Sequence, residues 1–222
     1  MTVSDHDPLS LAPLRLVVAT ANPDKAREIV AVLTESGLSV ELVARPDDVP
    51  EVVEDGETLL DNARLKARAL CAATGIAAIA DDTGLEVDAL GGAPGVFSAR
   101  YAGEHATYED NCNHLLAELL SRTDSPRTAR FATAVVVSFP DGTELTARGE
   151  VEGRITTSPK GLGGFGYDSI FMPEGESRTF AEMTPEEKHA ISHRGRALRS
   201  VAPLVWSSMQ SGDLSTSLKE QN

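Results

Sequence analysis

Residues 76–90 read IAAIADDTGLEVDAL, and the fold depends on how this stretch is parsed. The run Ile76–Ala80 is small and apolar, the composition of a buried strand, and Thr83-Gly84 has the look of a turn. The sequence therefore predicts a strand over 76–81, with Leu85–Leu90 resuming beyond the turn. Asp81 and Asp82 then fall at the carboxyl end of a strand, where open α/β sheets gather their ligands. Adjacent carboxylates there can share a divalent cation, or divide the work so that one holds metal and the other polarises water. An isolated pair has a plainer explanation, a turn cap beside a solvated acid. What it means depends on what the chain brings to its other strand ends.

Upstream, LRLVVAT (14–20) is a second buried-strand run, followed by a helix on which Ala26, Ile29, Val30 and Leu33 recur at helical spacing. Asp24 suits the cap of that helix and Gly37 its stop. A strand over 38–44, the acidic loop PDDVPEVVEDGE and a helix from Thr58 to Ala73 ended by Gly75 complete an alternation of strand and helix. Downstream the pattern changes. After the irregular GGAPGVFSARYAGE and a helix opened by Thr107 with Asp110, ARFATAVVVSF and TELTARGEVEG flank Pro140-Asp141-Gly142 as a β-hairpin. A glycine-rich loop, GLGGFGYDSIF, precedes a capping-box start at Thr184-Pro185-Glu186-Glu187 and a last helix in which Pro203 predicts a kink. The expectation is an α/β fold, a mixed twisted sheet flanked by helices, forming two lobes around a central cleft. It covers residues 14–210 as a single domain, with a flexible extension over 1–13 and a loose tail over 211–222.

The chain has 222 residues, 20 Lys and Arg against 34 Asp and Glu, and a net charge of −14, which excludes a broad sequence-independent grip on nucleic acid or anionic membrane. An anionic ligand would need a local basic basin or a metal. Cys71 and Cys112 lack metal-site spacing and read as reduced residues, the first dozen residues carry acids instead of a signal peptide's basic start, and no apolar run approaches a membrane span. The expected location is the cytoplasm.

Four groups of residues at element ends accompany the aspartates. Thr20, Asn22 and Lys25 place a hydroxyl, an amide and an ammonium around a helix N-terminus, donors suited to phosphate. Glu54 and Asp55 precede a helix on which Asn62 and Lys66 share a face. In GLGGFGYD the glycines, Gly166 among them, let backbone approach a ligand, while Phe165 and Tyr167 offer aromatic faces and Asp168 an acceptor. Lys188, His193 and Arg194 cluster at the last helix start as donors for a base edge or phosphate. Singly, each group has a structural explanation as cap, solvated charge or loop. Together they fit a nucleoside triphosphate with Mg²⁺, although GxxxxGK[ST] is absent and a P-loop is excluded.

The blocks ATANPDKAREI, ADDTGLEVDALGGAPGVFSARYAG, GFGYDSIF and EEKHAISHRGRAL, in that order, resemble the inosine triphosphate pyrophosphatases, the Ham1-like hydrolases of deaminated purine nucleotides, over residues 14–205. The resemblance implies hydrolysis of ITP, dITP and XTP to the monophosphate and pyrophosphate with Mg²⁺, in a homodimer. It implies Asp82 as the base that activates water and, with Glu54, as metal ligand, with Asp81 assisting electrostatically. Triphosphate contacts would fall on Thr20, Asn22, Lys25, Asn62 and Lys66, and Thr83, where relatives often carry Ser, near the phosphate or sugar. Phe165 would stack on the purine, and Asp168, Lys188, His193 and Arg194 would frame its edge. Two rival readings are a related pyrophosphatase acting on pyrimidine or modified nucleotides and a nucleotide-sensing module without hydrolysis.

Overall fold

The computed structural model describes residues 13–20, 22–46, 48–122 and 125–210; apart from Pro13, the predicted extension and the predicted tail lie outside the described residues. Strands β1 (Leu14–Val18), β2 (Val40–Val43) and β3 (Ala77–Val87) pair in parallel in the order β2-β1-β3. Helices α1 (Pro23–Glu35) and α2 (Leu59–Thr74) make the connections between them. On the far side of β3 the sheet turns antiparallel through β5 (Thr128–Ser138), β6 (Glu144–Ile155) and β7 (Phe171–Pro173), while the short β4 (Pro94–Gly95) pairs with the far end of β3. Helices α3 (Tyr108–Leu120), α4 (Pro185–Ile191) and α5 (His193–Gln210) complete the α/β fold, a mixed seven-stranded sheet with helices packed on it.

Two local expectations change. The turn at Thr83-Gly84 does not form. β3 runs on for 11 residues because β5 pairs with it continuously, from Ala78 opposite Ser138 to Val87 opposite Ala129. Gly84 serves close approach, since a Cβ there would lie 2.6 Å from the Gly95 carbonyl oxygen across the β3–β4 pair. The cap of α1 is Asn22, whose side chain accepts from the Asp24 and Lys25 amides, with Pro23 in the first turn. Asp24 is displaced from that role because Pro23 already takes the first helical position. The second helix start expected at Ser192–Arg194 is present, with α4 ending at Ile191 and α5 opening at His193 and continuing through Pro203 to Gln210.

Strand length makes the two lobes. β3 and β5 are long enough to cross both, and successive side chains alternate between the faces of the sheet. In the first lobe Ala77 and Ile79 join Ile29, Leu33, Leu198 and Val201 on one face, and Ala78 and Ala80 join Ala63, Ala67 and Leu70 on the other. In the second lobe Leu85 and Val87 pack with Leu115, Phe131, Ile170, Phe171 and Phe180. Fully burying a side chain of the Leu or Phe class contributes about 1.5–3 kcal/mol, so each lobe has an apolar cluster able to hold it. β1 stops opposite Ile79, so Asp81, Asp82 and Thr83 occupy the waist of β3, between the two cores and just past the end of the parallel pairing. Gly149 on β6 brings α5 to the same place, because a Cβ there would lie 2.1 Å from the His193 carbonyl oxygen.

Candidate active site

Alternation along β3 sends the paired aspartates to opposite faces of the sheet. Asp81 follows Ile79 toward α5, where its Oδ2 accepts from Arg194 Nε at 3.0 Å. Asp82 follows Ala80 toward α2, where its Oδ2 accepts from Asn62 Nδ2 at 3.2 Å and its Oδ1 lies 3.5 Å from Lys66 Nζ. Lys25, in the first turn of α1, fills the space beyond the end of β1. Its Nζ lies 3.6 Å from Asp81 and 4.0 Å from Asp82. The pair therefore divides its labour.

Around Asp82 the charges are loosely held. Lys66 also meets Glu54 Oε2 at 3.2 Å, so the two acids converge on one ammonium. Burial alone would lower the Lys66 pKa, but Asp82, Asp81 and Glu54 together raise it. For Lys25 burial prevails and lowers the pKa, with Asp81 opposing and Lys66 adding to the effect. Asn62, predicted as a phosphate contact, is buried behind the cleft wall; its Oδ1 accepts from the Gly56 amide at 2.8 Å, so it ties the acidic loop to Asp82. The α1 amides that the sequence offers to phosphate are answered by Asn22 Oδ1, from Asp24 at 2.9 Å and Lys25 at 3.3 Å, while Thr20 Oγ1 accepts from the Asn22 amide. Side chains, not the first-turn amides, face a ligand here.

Deeper in the cleft the charges form a closed network. Arg194, only 1% exposed, is paired on one side with Asp81 and on the other through Nη1 with Glu28 Oε2, and Nη2 donates to Thr83 Oγ1 at 3.1 Å. Lys188 donates to Glu28 Oε1 and to Asp168 Oδ2, both at 2.7 Å. Burial would raise the Asp81 pKa, but Lys25, Arg194 and Lys66 hold it well below the usual carboxylate range. Burial likewise opposes ionisation of Glu28, and Arg194 and Lys188 overcome it. His193 stacks on Phe131 with centroids 4.5 Å apart, and its Nδ1 is buried without a hydrogen-bond partner. Burial first, then Arg194 and Lys188, push its pKa well below 6.5, so the ring is neutral.

The glycine-rich loop departs from expectation. Of its glycines, Gly166 lines the cleft, whereas a Cβ at Gly161 would strike the Ala181 backbone at 2.4 Å and one at Gly164 would strike Asp168 Oδ2 at 2.2 Å. The loop is thus folded onto its own neighbours. Tyr167 is likewise committed to the core, its hydroxyl donating to the Ser98 carbonyl oxygen at 2.9 Å, and Asp168 turns inward to Lys188 and the Phe165 amide. Phe165 presents its ring 4.5 Å from Lys188 Nζ at the cleft wall.

The cleft is lined by Thr20, Asn22, Lys25, Glu54, Lys66, Asp82, Thr83, Phe165, Gly166, Tyr167, Asp168, Lys188, His193 and Arg194, whereas Asn62 and Asp81 stand behind it. Sequence reading passes over two residues, Glu28 and Tyr108. The signal for Glu28 is a carboxylate on the buried stripe of α1, one turn from Lys25 and one from Val32. Tyr108, the first residue of α3, donates nothing to the cap that Thr107 and Asp110 form.

The cleft at the waist of the mixed sheet thus has lysines and acids at one end and, at the other, an aromatic ring over a buried network of two cations and three carboxylates. A family model, the Ham1 family, matches residues 16–204, and the chain belongs to that family. It is 50% identical over 193 residues to the dITP/XTP pyrophosphatase of Streptomyces coelicolor, covering 86% of this chain and 96% of that protein. It is 50% identical to that of Geobacter sulfurreducens, over 83% and 92% of the two chains. Among solved structures, the HAM1 protein of Coxiella burnetii superposes with a TM-score of 0.80 at 38% identity, over 87% of this chain and 99% of that one.

Proposed function

We propose that this chain hydrolyses deaminated purine nucleoside triphosphates, dITP, XTP and ITP, to the monophosphate and pyrophosphate, and so clears them from the nucleotide pool. The observation that carries the reading is the convergence of Asp82, Glu54, Lys25 and Lys66 at one end of a cleft whose other end is Phe165, Lys188, His193 and Arg194. Relatives named dITP/XTP pyrophosphatase at 50% identity support the substrate class.

Mg²⁺ characteristically takes one or two protein carboxylates and completes its shell with water and substrate phosphates. Glu54 and Asp82 fit that donor set, since both already converge on a single cation, the Lys66 ammonium, at 3.2 and 3.5 Å. They would hold the ion, which when bound neutralises phosphate charge and lowers the pKa of a coordinated water. Asp82 accepts the proton of the attacking water on Oδ1, because Asn62 keeps Oδ2 in place. Lys25 and Lys66 then balance the charge that gathers on the leaving pyrophosphate. Asp81, clasped by Arg194, holds the waist together and is not the base.

At the base end, Glu28, Asp168, Asp81 and Thr83 hold Lys188 and Arg194 in place, and the donor hydrogens these leave unengaged would serve the O6 carbonyl that inosine and xanthosine carry and adenosine lacks. A cytoplasmic location is part of the same proposal, supported by the nucleotide pool such an activity would serve. A homodimer is supported by the apolar Phe97, 56% exposed beside Arg100 in the GGAPGVFSARYAG segment, and sedimentation at micromolar protein would test it. The activity is tested by pyrophosphate release from ITP, XTP, GTP, ATP, dTTP and UTP with and without Mg²⁺. Mg²⁺-dependent release from ITP and XTP, with little from the others, is expected. Release confined to the pyrimidines would move the chain to a different substrate class.

A further inference from the structure

Tyr108 stands at a position where an aromatic ring has no structural task. The first turn of a helix favours acids and proline, and the cap of α3 is complete without it, since Thr107 Oγ1 accepts from the Asp110 amide and Asp110 answers the Thr107 amide. The side chain is 43% exposed, yet it lines the cleft. There it makes two contacts from opposite ends. Its hydroxyl oxygen accepts from Asn22 Nδ2 at 2.9 Å, and its ring lies 6.0 Å from that of Phe165, tilted by 41°.

Those contacts place it between the two ends of the cleft. Asn22 belongs to the end of the cleft with Lys25 and the phosphate-neutralising charges, and Phe165 to the end that faces the base. In a nucleoside triphosphate the ribose and α-phosphate lie between those two parts. A side chain that touches both ends from the rim covers the middle. The phenol oxygen is occupied as an acceptor, and among the described residues its proton meets no acceptor, which leaves it to a ligand oxygen. We propose that Tyr108 closes the site over the ribose and α-phosphate, its phenol donating to an oxygen there and its ring backing Phe165. This rests on the purine triphosphate reading above.

The alternative is that Tyr108 merely ties α3 to α1, and the two are separable. Wild type, Tyr108→Phe and Tyr108→Ala are compared by kcat and KM on ITP and dITP, by calorimetric titration with IMP, and by thermal melting. For Tyr108→Ala the expected result is KM raised and IMP binding weakened about tenfold, with kcat within about twofold and the melting temperature nearly unchanged, as for an exposed position. Tyr108→Phe keeps the ring and loses one hydrogen bond, so about a threefold loss is expected. KM and IMP affinity unchanged in Tyr108→Ala would overturn the proposal. A Phe variant as impaired as the Ala variant would place the whole effect on the hydroxyl and overturn the part of the proposal that assigns the ring to backing Phe165. Failure of the wild type to hydrolyse any purine triphosphate would instead sink the proposed activity alone, because IMP titration still decides the role of Tyr108.

Discussion

The two ends of the cleft are built from the same residue types in opposite states. At the base end Arg194, Lys188, Glu28, Asp168 and Asp81 are in direct contact, with Lys188 at 2.7 Å from both its carboxylates and Arg194 at 3.0 Å from Asp81. At the phosphate end Lys25 and Lys66 stand 3.2 to 4.0 Å from Asp81, Asp82 and Glu54, close enough to attract and too loose for most of them to be good hydrogen bonds. A saturated network is a frame, since its members cannot leave without stranding a buried charge. A loose one is a set of ligand groups held near their working positions. On the proposed function, one end stays fixed and the other rearranges around phosphate.

The sharpest way to break that distinction is to neutralise one acid at each end. Asp82→Asn keeps the side-chain volume and the Asn62 contact, so folding should survive. Without a carboxylate to take the proton, kcat on ITP should fall about 10²–10⁴-fold, the range for general base catalysis. Retained turnover in a folded Asp82→Asn protein would remove Asp82 as the base and leave the phosphate end without a catalytic group.

At the other end Glu28→Gln is expected to act on stability first. It leaves Arg194 with Asp81 and Lys188 with Asp168 while removing the carboxylate the two cations share. Losing one partner of a buried ion network costs on the order of 3–5 kcal/mol, read by denaturant unfolding. By the same argument Arg194→Ala, which takes one cation from each of two buried acids and leaves Asp81 with Lys25 at 3.6 Å and Glu28 with Lys188 at 2.7 Å, should unfold more readily than it changes its choice between ITP and ATP. A Glu28→Gln protein as stable as wild type, but impaired in KM, would show that the base end is also a loose ligand set, and the comparison would collapse.

How much of this was legible depends on the kind of constraint. Period-2 and helical patterns marked the strands, the hairpin and the helices, and the capping box at Thr107 and Asp110 marked the start of α3. The continuity of β3 was not legible at Thr83-Gly84. A glycine needed for close approach to Gly95 looks in sequence like a glycine needed for a turn. In the site, residue types at element ends pointed to the cleft, but their roles did not follow. Adjacent Asp81 and Asp82 read as one pair, whereas strand alternation sends them to opposite faces, toward Arg194 and toward Asn62. Glu28 escaped notice because the partners that make it necessary, Lys188 and Arg194, lie 160 and 166 residues away in the chain.

The smallest expected effect concerns His193, a neutral ring among the buried charges. The unfolded chain binds a proton on His193 near pH 6.5, and the folded ring, surrounded by apolar contacts, Arg194 and Lys188, refuses it. Below that pH the unfolded state therefore binds more protons, and stability falls as pH drops, by at most about 1.4 kcal/mol per pH unit. Melting followed from about pH 7.5 to 5.5 should show that loss in wild type and less of it in His193→Phe, which keeps the stack on Phe131. Carboxylates such as Glu28, whose pKa is depressed, add their own loss only lower, as pH approaches the ordinary range near 4.5. If the phenylalanine variant keeps the full slope, the ring is protonated in the fold and the base end must absorb a third positive charge. A charged ring there would have its buried Nδ1 donating to no acceptor beside the cations Arg194 and Lys188.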